Sequence, residues 1–445
     1  MTGTLGHARA GTALSGEAAW AAALRAACEH PADAAAAWHA SGGQVVGMLG
    51  WSAPRELVTA AGLLPVRLSP DRLAGLAYGS PADDTQGRVR ANELDGGEPE
   101  PGRHVDVDGT PAAFGRELSY GTARLAAALL SGALGWIDFL LIGRDREDHT
   151  RLFYLLRELR RSGAAPDLVP VAFFDLLRLP SRTSARYNRQ RAAELTAVIA
   201  RWAGRPVTPA GLASAVATSA GTAHSLREIN AGRTGPRPAI AGSDALAAAI
   251  AAQVLPAGQL RPLLDAAPTA GAAGTAGQEA ATRVFLAGSG TDDLTAYQAL
   301  EELGIAIVGE DHEWGDDGSE YPLATRDPLD GIVDRYHFAH GGAARAGLHD
   351  RVARTVDRVR AAAADGVLYL LAPGDEAAAW QLPALRDRLR AGIPLVPVRL
   401  LDPELSDPGR AADSGRPELR EAGRRLLGEL GAAGTASGAR EARHG

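Results

Sequence analysis

The sequence predicts an α/β fold: two parallel-sheet units with a helical segment between them. Three observations carry this. Short apolar runs that read as strands alternate with helical stretches of about 10–15 residues, the rhythm of parallel sheets covered on both faces. That rhythm occurs twice, over residues 41–185 and 283–432, so a duplicated architecture is expected. The stretch between, 186–267, reads as helices alone.

The elements follow in order. Residues 1–15 are small and polar and should fray. Residues 17–40 are alanine-rich and read as one helix carrying Cys28, which completes an N-terminal helical segment over 1–40. In the first unit, strands are expected at 44–50, 63–68, 136–143 and 168–174. Helices are expected at 54–62, 113–133 and 149–162, the first with Pro54 in its opening turn and Gly62 at its stop. Residues 79–110 are rich in Gly, Asp, Glu and Pro and read as a long loop or lid. The middle segment carries helices over 187–203 and 209–229. An Ala/Gly/Thr-rich linker spans 268–282. The second unit has strands at 283–288, 305–309, 366–372 and 394–399. Its helices fall near 293–303, 345–364 and 376–391, and 433–445 reads as a disordered tail.

Composition excludes several chemistries. The chain has 445 residues, 46% of them hydrophobic, enough for two or three ordinary cores. Net charge is −7, which argues against a nucleic-acid-binding surface. No apolar run is long enough to span a bilayer and no signal peptide opens the chain, so a soluble cytoplasmic protein is expected. Cys28 is the only cysteine, which excludes an intrachain disulfide, a multi-cysteine zinc site and a self-contained iron–sulfur cluster. With no partner thiol it reads as a small packed side chain. All 46 basic residues are arginine. Without lysine there is no Walker A loop, no PLP Schiff base and no lysine nucleophile.

The local motifs are weak. Gly288-Ser289-Gly290 follows a strand and could receive an anion, but position 293 is Asp where a dinucleotide fingerprint needs glycine. An ordinary strand–helix turn is favoured. Residues 217–221 form a degenerate nucleophile-elbow string inside a helical pattern, the wrong context. Glu310, Asp311, His312 and Glu313, with Asp316 and Asp317, could bind a divalent cation, though a solvated acidic loop is favoured. His337 and His340 read as surface histidines, and no metal site is expected. In open α/β sheets, ligands sit beyond the carboxyl ends of the strands. Those ends carry 50–52, 144–148, 288–290, 310–312 and 373–376, a mixed acidic and arginine-bearing set.

At these residues the chain resembles the 2-hydroxyacyl-CoA dehydratase and benzoyl-CoA reductase family. Residues 47–68, GMLGWSAPRELVTAAGLLPVRL, resemble its opening signature, roughly G-x-x-C-x-x-x-P-x-E-L-x-x-A-A-G-x-x-P-V-R-L. WAGRPVTPAGL at 202–212 resembles part of its middle helical region. RVFLAGS at 283–289 and LGIAIVGED at 303–311 resemble the start of its second domain. DGVL at 365–368, WQLPAL at 380–385 and GIPL at 392–395 resemble its last part, so the resemblance runs over roughly 40–425. It implies two flavodoxin-like (Rossmann-type) domains with a helical segment between them, a dimer, and an acyl-CoA thioester near a [4Fe–4S] cluster held by three cysteines. It also implies a mechanism in which the cluster delivers an electron to make a ketyl radical on the thioester.

The chain departs from the pattern at the cluster. The three family cysteines fall on Gly50, on Arg146 (Arg144-Asp145 is the alternative) and on Asp375. One carboxylate cannot hold a cluster that uses three thiolates. No cluster and no other cofactor is expected in this chain. The expected function is a cluster-less homologue, a non-redox subunit binding an acyl-CoA or related carboxylate, as a homodimer or beside a cluster-bearing paralogue. Two other readings stay open: a redox-independent enzyme acting on a thioester or carboxylic acid, and a non-catalytic binding or scaffold protein. Glu56, Asp375 and Glu376 are the candidate acid–base residues. Ser52, Arg146 and Trp380 are the candidate substrate-binding residues, and Arg146 is expected to pair with Asp375 or with an acidic ligand.

Overall fold

The computed structural model describes residues 16–69, 118–234, 238–268, 282–316, 327–338, 347–390, 392–400 and 417–441. The fraying expected at 1–15, the lid at 79–110, all but the ends of the linker, Asp317 and His340 lie outside the described residues.

Two four-stranded, all-parallel sheets form the frame. The first contains β1 (Val45–Leu49), β2 (Leu64–Arg67), β3 (Phe139–Gly143) and β4 (Val171–Phe174), in the order β2-β1-β3-β4. The second contains β5 (Thr282–Gly288), β6 (Ile305–Glu310), β7 (Gly366–Leu371) and β8 (Leu395–Arg399), in the order β6-β5-β7-β8. Shifting the strand numbers by four converts one order into the other. β1 and β3 are buried along their whole length, the pattern of strands covered on both faces.

The helices mostly follow expectation, with three corrections. The single helix expected over 17–40 is two, α1 (Gly16–Glu29) and α2 (Pro31–Ala40). The break is at His30, which leaves the helical region ahead of Pro31 because α conformation is disfavoured before proline. α3 (Arg55–Ala60) follows β1; α4 (Tyr120–Leu130) and α5 (Glu147–Ser162) flank β3. The middle segment is α6 (Arg182–Trp202), α7 (Pro209–Ala231), α8 (Gly242–Val254) and α9 (Ala257–Asp265). α8 is apolar all round and buried, because it packs on β2 and on β6 and so fills the space between the sheets. Residues 217–221 lie inside α7, which closes the nucleophile-elbow reading.

α10 (Leu294–Glu301) is followed, after β6, by a helix the sequence reading missed: α11 (Pro328–Phe338). It lies in the second unit's sequence but docks on α6 and α7 of the middle segment and on α3 of the first unit. Ile332, Val333 and Tyr336 are buried with Leu57, Val58, Leu195 and Ile199. Burial of each large apolar side chain contributes roughly 1.5–3 kcal/mol, so α11 ties the units together. α12 (Leu348–Ala361) and α13 (Glu376–Leu389) cover the second sheet. The third correction concerns the tail. α14 (Pro417–Glu441) carries helical backbone through 433–441, where no proline interrupts it.

Candidate functional site

The carboxyl ends of the two sheets face each other, and three contacts mark the seam. Trp51, just after β1, meets Trp314, just after β6, edge to face at 5.1 Å between centroids. Ser69, after β2, donates to Asp292, after β5, at 2.8 Å, with both side chains buried. Arg146, after β3, brings a terminal nitrogen to 3.9 Å from the position a β-carbon would take at Gly374, after β7. The pairing is reciprocal: in the duplicated numbering, β1 meets the counterpart of β2, and β3 meets its own counterpart. The Arg67 guanidinium covers the Trp51 ring at 4.0 Å and bonds Gln253 of α8.

Gly50 sits at the head of this seam with φ +81°, the left-handed region that favours glycine. Asp145 explains the crowding there. Its Oδ2 accepts from the backbone N–H of Trp51 and, at 3.1 Å, from that of Ser52, and its Oδ1 pairs with Arg178 at 3.0 Å. The Ser52 hydroxyl is buried and, among the described residues, has no hydrogen-bond partner.

Arg146 does not pair with Asp375. Its Nε donates to Asp148 at 3.3 Å, because a carboxylate two residues away in the same turn is reached without crossing the seam. Asp148 also accepts from the hydroxyls of Ser119 and, at 2.7 Å, Thr122. Burial opposes its ionisation, but the Arg146 charge and the Ser119 bond outweigh burial and hold the carboxyl down to about 2. Arg144, the alternative at the second cysteine position, turns away to Asp175 at 3.1 Å. Asp375 instead caps α13, accepting from Ala378 N–H at 3.1 Å, and accepts from the Ser289 hydroxyl at 2.8 Å.

The other candidates land in different settings. Glu56 is fully buried, with Oε1 on Arg335 at 2.6 Å and Oε2 on the Tyr336 hydroxyl at 2.9 Å. Both partners come from α11. Burial, and after it the Glu56 charge, pushes the Tyr336 phenol up to about 12. This carboxylate anchors α11. Glu376 is exposed in the first turn of α13, and Trp380 is 73% exposed on the same helix.

The acidic stretch that ends β6 and follows it is not a solvated loop. Glu310 is buried against Arg233 at 2.5 Å, and Asp316 takes the other arm of that guanidinium at 2.6 Å. Burial, helped by Asp316 and countered by Arg233, pushes Glu310 up to about 7. Asp311 accepts from Gly288 N–H at 3.0 Å and from the Thr355 hydroxyl. His312 is buried beside Tyr297 at 3.0 Å; burial and the charges of Arg233 and Arg358 lower it to about 3, so it is neutral. His337 is buried and bonds the Leu179 carbonyl at 2.9 Å, so it is not a surface histidine. Among the described residues, no group of three or more His, Cys, Asp or Glu is arranged to hold a metal.

Comparison with known families decides the lineage. Residues 148–407, more than half of the chain, match the model described as 2-hydroxyglutaryl-CoA dehydratase, D-component. The chain belongs to that family. No curated protein matches the chain. The resemblance described above would set an iron–sulfur group at positions 50, 146 and 375, on the loops that follow β1, β3 and β7. The donors there do not fit one. Gly50 offers no side chain, Arg146 is cationic, and Asp375 is committed to Ser289 and to the cap of α13. Cys28 lies buried under α8, its thiol against the Ala247 carbonyl at 3.2 Å, on a different part of the fold.

Sequence reading missed Asp145, Arg335, Tyr336 and the Trp51–Trp314 contact. The signal for Asp145 was present, since it sits between the two arginines weighed for the second cysteine position. Arg335 and Tyr336 carried none, because their helix was not recognised.

Proposed function

We propose that this chain is a non-redox member of its family that binds an acyl-CoA thioester or a related carboxylate at the seam between the two sheets. The observation that carries the reading is Arg146. Its Nε is held by Asp148, while among the described residues its terminal nitrogens make no hydrogen bond, and one of them, Nη2, lies toward Gly374 after β7. A guanidinium fixed through one nitrogen and open at the other two is preorganised for a carboxylate or a phosphate. The chain then acts beside a second copy or a cluster-bearing paralogue, which would provide the electron chemistry that these residues do not support.

Calorimetric titration with acyl-CoA and with free carboxylate tests this. The wild type should bind, and Arg146→Gln should lose at least about tenfold in affinity, the value of one charge-assisted pair at roughly 1.4 kcal/mol. Equal affinity in both proteins would remove Arg146 from the site.

A further inference from the structure

The first family cysteine position has not simply lost its thiol. We infer that the Asp145 carboxylate has taken its place and closes position 50 to any side chain, so that restoring cysteines does not by itself restore a cluster site. This rests on the cluster-less reading above and adds why the loss is locked in.

Three observations carry it. Gly50 has φ +81°, which an L residue adopts only with strain. A β-carbon at position 50 would fall on Oδ2 of Asp145 and within 3.1 Å of the Gly143 carbonyl oxygen. The Asp145 side chain is also not free to move aside. It is 9% exposed, it pairs with Arg178, and it satisfies the N–H groups of Trp51 and Ser52. Those two N–H groups sit in the turn between β1 and α3. Asp145 is therefore a positioning residue as well: it shapes the turn that presents Trp51 and Ser52 to the seam.

The test uses the full chain in two backgrounds. The triple variant Gly50→Cys/Arg146→Cys/Asp375→Cys is made with Asp145 intact and with Asp145→Ser. Both are treated anaerobically with ferrous iron and sulfide, and iron per chain is measured. With Asp145 intact, iron should stay near zero; with Asp145→Ser, it should rise toward about four per chain. Equal iron in the two backgrounds, high or low, would overturn the closure of position 50. A second measurement does not need cluster assembly. Gly50→Ala should lower the melting temperature by at least about 4 °C with Asp145 in place, and by clearly less in the Asp145→Ser background. An equal fall in both would overturn the inference. Iron bound by the wild-type chain is a separate outcome, and it would remove the cluster-less reading instead.

Discussion

The two sheets share one strand order, yet their carboxyl ends are put to different use. In the second unit the carboxylates are paired within the protein: Glu310 and Asp316 with Arg233 from the middle helical segment, Asp311 with Gly288 and Thr355, Asp375 with Ser289 and α13. In the first unit Arg146 is half-exposed with its Nη2 toward the seam, and among the described residues the Ser52 hydroxyl has no partner. Pairing inside a core contributes to holding the fold but leaves nothing for a ligand. Under the proposed function the ligand faces the first unit, with the second as its wall.

The largest expected effect breaks the wall. Arg233→Met leaves two carboxylates, one of them fully buried, without their cation. It should destabilise the protein by roughly 3–5 kcal/mol in urea denaturation. A loss below about 1 kcal/mol would show that the cluster is solvated in solution and would erase the contrast between the units.

Acidity sharpens the contrast next, because the two units carry opposite shifts. Glu310 sits above its unfolded value, so its favourable contribution is complete below about 4.5 and is lost as pH rises toward 7. Buried neutral His312 works the other way, losing stability as pH falls from 6.5 toward about 3, and partly masks that slope in the wild type. The difference between wild type and Glu310→Gln isolates it: the variant should gain relative stability between pH 4.5 and 7. A flat difference would mean that Glu310 is not raised. In the first unit Asp148 sits below its unfolded value, so its contribution is present above 3.8 and is lost as pH falls toward about 2. Asp148→Asn should remove that acid-side loss, and an unchanged acid limb would contradict the assignment.

The smallest expected effect on stability is on the side proposed to face the ligand. Arg146→Gln removes a half-exposed cation from buried Asp148 and should cost no more than about 2 kcal/mol, less than Arg233→Met, while weakening acyl-CoA binding. A large stability loss would move Arg146 from ligand recognition to the frame.

How much of this was legible varies with distance along the chain. The strands were legible because each is a short apolar run, and those that end at Gly143 or Gly288 close on a glycine. The seam was legible for the same reason, since strand ends define it. α11 was not. Its buried positions Ile332, Val333 and Tyr336 sit among Asp330, Asp334 and Arg335, and the surface they cover lies outside the second unit. The role of Glu56 depended on that helix, 279 residues away. The expected Arg146–Asp375 pair failed for a local reason: Asp148 and Ser289 are nearer partners for each.

We propose that this chain keeps the family's fold without its iron–sulfur group. Iron and acid-labile sulfide, measured per chain in anaerobically purified wild-type protein, test it most directly. The account predicts values near zero for both. About four irons per chain, unchanged by Cys28→Ala, would contradict it.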